Sequence, residues 1–164
     1  MTNRIFTAAI LALLCAGQNR GAVSAEIRLE RDSGKAQRAT AVLSILTQIH
    51  RVASNVPVDA GDIGSARRRE IDQIVAKAPQ SLNCKTTLAH AIMAFLGSRD
   101  SEDKEYDAVF LWAYWRILGR IAEDHTGRAS EALQAFRVGT DGEDRHSIDL
   151  LIRKQKSLMA QYKR

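Results

Sequence analysis

Apolar residues recur at three- and four-residue intervals along most of the chain, and no apolar–polar alternation runs beyond a few positions. That period belongs to helices rather than strands. Val42, Ile45, Ile49, Val52 and Val56 follow the spacing closely, and Leu46 and Ala53 widen the stripe enough to face a core. Asp32 or Ser33 can cap this first helix with a side-chain oxygen. Residues 26–32 alternate in charge and read as a flexible, solvated lead-in. From Asn55 to Gly64 the chain carries Pro57, Asp59 and Gly61, which mark a loop. A second helix, Ser65 to Lys77, places Ile71, Ile74, Val75 and Ala78 on one side.

After Pro79, a third helix from about Ser81 to Leu96 aligns Cys84, Leu88, Ala91, Ile92, Phe95 and Leu96, with Gly97 placed for a left-handed cap. The fourth, Ser101 to Asp124, opens with Glu102, Asp103, Glu105 and Asp107, whose charges suit a helix N-terminus. From Ala108 to Leu118, ten of eleven residues are apolar, Arg116 being the exception. A helix apolar nearly all round is buried on most sides. Gly127 closes this element. A short helix, Arg128 to Arg137, offers Ala129, Ala132, Leu133 and Phe136, and a turn at Gly139 to Gly142 precedes a last helix, Asp144 to Tyr162. On that helix Ile148, Leu151, Ile152, Leu158, Met159 and Tyr162 share a face. The expected fold is all-α: a compact bundle of about five to six helices around a central apolar helix near residues 101–124, in a single domain over residues 26–164.

The first 25 residues differ in kind. They hold no acid, one early Arg4, and an apolar run from Ile5 to Gly17 broken only by Thr7. The run is shorter than the roughly 20 residues of a membrane span and fits the apolar region of a secretory signal. Val23-Ser24-Ala25 supplies small residues for cleavage after Ala25, and a cut after Gly17 is the competing choice. Lipid attachment at Cys15 is disfavoured because bulky Leu14 precedes it. An uncleaved N-terminal anchor is a further alternative.

Cleavage would change the charge and the thiol count. The whole chain of 164 residues carries 24 Lys plus Arg against 19 Asp plus Glu, formally +5, and two Cys. Losing Arg4, Arg20 and Cys15 leaves 139 residues, +3 and one thiol, Cys84. A basic chain invites a nucleic-acid reading, but an export signal points away from DNA or RNA as partner. A lone thiol in an oxidising compartment must be buried, capped or joined to another molecule. The apolar stripe around Cys84 favours burial.

No pattern of catalytic or metal-binding chemistry emerges. His50, His90, His125 and His146 fall on separate elements, and none has a second His or Cys three or four residues away, as helical metal ligands require. Surface and capping roles account for them, with His125 suited to a helix C-terminus. Cys84 and His90 lie about 240° apart on a helix and cannot form a thiol–base pair. Glu123-Asp124-His125 fans outward. Asp141 to Asp144 lacks the alternating ligands of a calcium loop. Neither a phosphate-binding glycine loop nor a nucleophile elbow occurs. The expectation is therefore a protein without enzyme activity, metal or cofactor.

Two basic clusters form the candidate interaction surface: Arg67, Arg68 and Arg69 at the start of the second helix, and Arg153, Lys154 and Lys156 on the last. They are solvated faces unless they draw in an acidic partner or an anionic envelope surface. The stretch from Cys84 through Tyr106 and Phe110-Leu111-Trp112-Ala113-Tyr114 to Gly119 also resembles, over 36 residues, acid-stress periplasmic chaperones of the HdeA type. The second Cys of their disulfide is missing, and Arg116 interrupts the aromatic–glycine segment.

The leading functional expectation is a periplasmic or secreted protein that binds another envelope or secreted protein, as an inhibitor, immunity-type or accessory factor, with at most peripheral membrane contact. An acid-stress or holdase chaperone is the alternative, and an enzyme with an unrecognised site is the third.

Overall fold

A computed structural model describes residues 25–55, 63–100 and 103–162. The expected leader, its cleavage sites, Cys15, and Val56, Pro57, Asp59 and Gly61 lie outside these residues. The described chain forms six helices: α1 (Ala25–Ser54), α2 (Ser65–Lys77), α3 (Leu82–Gly97), α4 (Lys104–Ala122), α5 (Gly127–Val138) and α6 (Gly142–Tyr162). No strand occurs among the described residues.

The apolar stripes meet as their spacing requires. α1 buries Val42, Ile45, Leu46, Ile49, Val52 and Ala53, α2 buries Ile71, Ile74 and Val75, and α3 buries Cys84, Leu88, Ala91 and Ile92. α4 packs against all five other helices, so it is the central element expected from its composition. Around it α1 packs on α2 and α3, and α5 packs on α3 and α6. Phe110, Ile117, Leu118 and Ile121 of α4 are fully enclosed, and complete burial of each such side chain stabilises the fold by about 1.5–3 kcal/mol.

Side-chain caps set three helix starts. The Ser81 hydroxyl accepts from the Cys84 N–H (3.3 Å), the Asp103 carboxylate from the Tyr106 N–H (2.9 Å), and the Thr126 hydroxyl from the Ala129 N–H (3.4 Å). Each occupies one of the amides that a helix start leaves without an intrahelical acceptor.

Four boundaries depart from expectation. α1 is helical from Ala25, ahead of Asp32 or Ser33, so the flexible lead-in over residues 26–32 is helix. Glu, Leu and Arg are good helix formers, and no proline interrupts them. α4 begins at Lys104 rather than Ser101, because Asp103 is the cap. Gly97 ends α3 within the helix and Ser98 takes the cap in right-handed geometry, its N–H reaching Ala94 O. Gly127 opens α5 instead of closing α4, since Thr126 supplies the cap before it. The one positive-φ glycine among the described residues is Gly142, φ +54°, where the chain turns into α6.

Candidate interaction surface

The two basic clusters stand on helices that both pack on α4 but do not form a packed pair with each other. On α2, Arg69 is exposed and its Nε donates to Ser65 O (3.2 Å), while Arg67 and Arg68 are half-buried. Arg68 lays its guanidinium over the Trp112 ring, 4.8 Å from the centroid. On α6, Arg153 and Lys156 are exposed, and Lys154 Nζ lies 3.5 Å from the Glu123 carboxylate. The α6 cluster is a solvated face with local partners. The α2 cluster differs because it adjoins aromatic surface.

That surface belongs to the outward side of α4. At 3.6 residues per turn, Ala108, Leu111, Trp112, Trp115 and Gly119 share an arc of roughly 100°. Val109, Phe110, Ala113, Tyr114, Ile117, Leu118 and Ile121 turn inward and are buried. Leu111 is 40% exposed, and Ala108, Trp112 and Trp115 are only partly covered. The chain has two Trp residues, and both lie on this arc. Arg116 borders it and forms a close ion pair with Asp72 of α2, Nε to Oδ1 2.6 Å. The interruption in the apolar run is thus the position where α4 turns from its exposed arc toward α2. Among the described residues the other large exposed apolar side chains, Leu43, Val138, Leu150 and Tyr162, are on α1, α5 and α6, and single exposures of that kind are ordinary.

Cys84 is 1% exposed and its thiol is free. Burial pushes its pKa up, against a smaller lowering by Arg38, so little reactive thiolate forms. Three of the four histidines contact aromatic rings. The His50 ring meets Tyr106 edge-on, with Nδ1 against the Tyr106 hydroxyl. His90 stacks on Phe136 at 4.4 Å, and His125 on Tyr162 at 4.2 Å. His90 is exposed overall, yet the partial burial of its ring pushes its pKa down.

Tyr106 anchors an aromatic cluster at one end of α4. Its ring stacks on Phe110 (5.2 Å) and carries the Arg99 guanidinium at 3.9 Å, with Arg99 also 3.6 Å from Asp107. Burial raises the Tyr106 pKa, Arg99 opposes this, and Asp107 and Asp103 add to it. Among the described residues, no group of three or more His, Cys, Asp or Glu could hold a metal ion, and no helix is long and apolar enough to cross a membrane.

Two features escaped the sequence reading. One is the exposed arc of α4. The other is Gln155, fully buried within the α6 apolar stripe, whose amide donates to the Asp124 carbonyl (3.3 Å) and the Thr126 carbonyl (3.1 Å). It ties α6 to the turn between α4 and α5. A polar residue at stripe spacing with Ile148 and Ile152 was the available signal. In the same turn, burial works to raise the Asp124 pKa, but hydrogen bonds from Thr126 and the charges of Lys85 and His125 outweigh it and hold the carboxyl low.

No protein-family model, curated protein or solved structure matches the chain.

Proposed function

We propose that this is a small exported helical protein that acts by binding another envelope or secreted protein, as an inhibitor, immunity-type or accessory factor. The observation that carries the proposal is the part-exposed arc of α4, where exposed Leu111 and partly buried Trp112 and Trp115 lie beside the Arg68 and Arg116 guanidinium groups. Aromatic residues and arginine are the side chains most enriched where proteins bind one another. The apolar leader supports the export part of the proposal. Affinity capture from an envelope extract in mild salt tests it. A stoichiometric protein partner is expected, and recovery of none would refute it.

A second reading, a holdase chaperone opened by acid, is favoured by His90. Burial lowers its pKa and its ring stacks on Phe136, so protonation in acid works against the contact between α3 and α5. Suppression of client aggregation at strongly acidic pH, with loss of native Trp emission, is the expected result. Full client aggregation would remove this reading.

A further inference from the structure

We draw no further inference here: the strongest candidate, the part-exposed apolar arc of α4 around Leu111, Trp112 and Trp115, belongs to the surface already described, and nothing in the structure shows what covers it.

Discussion

Replacing Gln155 probes the join between α6 and the α4–α5 turn. Its Nε2 donates to the carbonyls of Asp124 and Thr126, while its Oε1 is buried with no hydrogen-bond partner among the described residues. Gln155→Leu removes two hydrogen bonds, each contributing about 0.5–1.5 kcal/mol, but also removes an unsatisfied oxygen that costs about 1–3 kcal/mol. The two effects largely offset, and a net loss of at most ~2 kcal/mol is expected. Gln155→Glu differs in kind. It turns a carboxylate toward two carbonyl oxygens in a fully enclosed position, and an uncompensated buried charge costs about 3–5 kcal/mol.

The acid variant should also depend on pH. The folded state resists ionisation of the introduced carboxyl, so its pKa is raised above the unfolded value of about 4.3. The penalty is present in full above the raised folded pKa and fades as pH falls toward the unfolded one. Urea melts followed by circular dichroism, for wild type and both variants between about pH 7 and pH 4, measure the differences. Equal destabilisation by Gln155→Leu and Gln155→Glu, or a penalty in the acid variant that does not change with pH, would refute the role assigned to the amide.

Other predictions follow from single observations. Tyr114 is buried, and burial with the Asp144 charge pushes its pKa up to about 12, so a spectrophotometric titration should show one tyrosine ionising well above the ordinary value near 10. His90 has a lowered pKa in the folded state. Its contribution to stability is present above the unfolded value of about 6.5 and is lost as pH falls, a dependence that His90→Gln should remove from urea melts. A methyl group on Gly119 meets nothing within 4 Å, so Gly119→Ala should raise stability by about 0.5–1 kcal/mol in the same assay. Gly142→Ala should do the opposite, losing about 1–2 kcal/mol, because φ there is +54°. Cys84 should react with a thiol reagent only as fast as the native protein opens, and a non-reducing gel should show monomer.

Helix spacing made the core legible. Val42, Ile45, Leu46, Ile49, Val52 and Ala53, then Ile71, Ile74 and Val75, and Ile148 with Ile152 are buried where their period placed them, because one stripe per helix must face a neighbour. Boundaries were less legible where two capping groups competed: Ser101 preceded Asp103, and Gly127 lay beside Thr126. The exposed arc of α4 was hidden for a different reason. Ten apolar residues in eleven say that a helix is central, but which side its neighbours leave open depends on how five other helices surround it. Arg116 was the one mark of that boundary, and its meaning required Asp72, 44 residues earlier in the chain. The basic clusters were visible as composition, yet only the α2 cluster adjoins the aromatic surface, a distinction that needs tertiary contacts.

Collisional quenching of tryptophan emission in the isolated protein tests the proposed binding surface most directly, because both Trp residues sit on the part-exposed arc of α4. Acrylamide, a neutral quencher, should reduce their emission measurably in the folded protein and more strongly after unfolding in urea. Native emission that acrylamide leaves unchanged would contradict the claim that α4 presents an accessible binding surface.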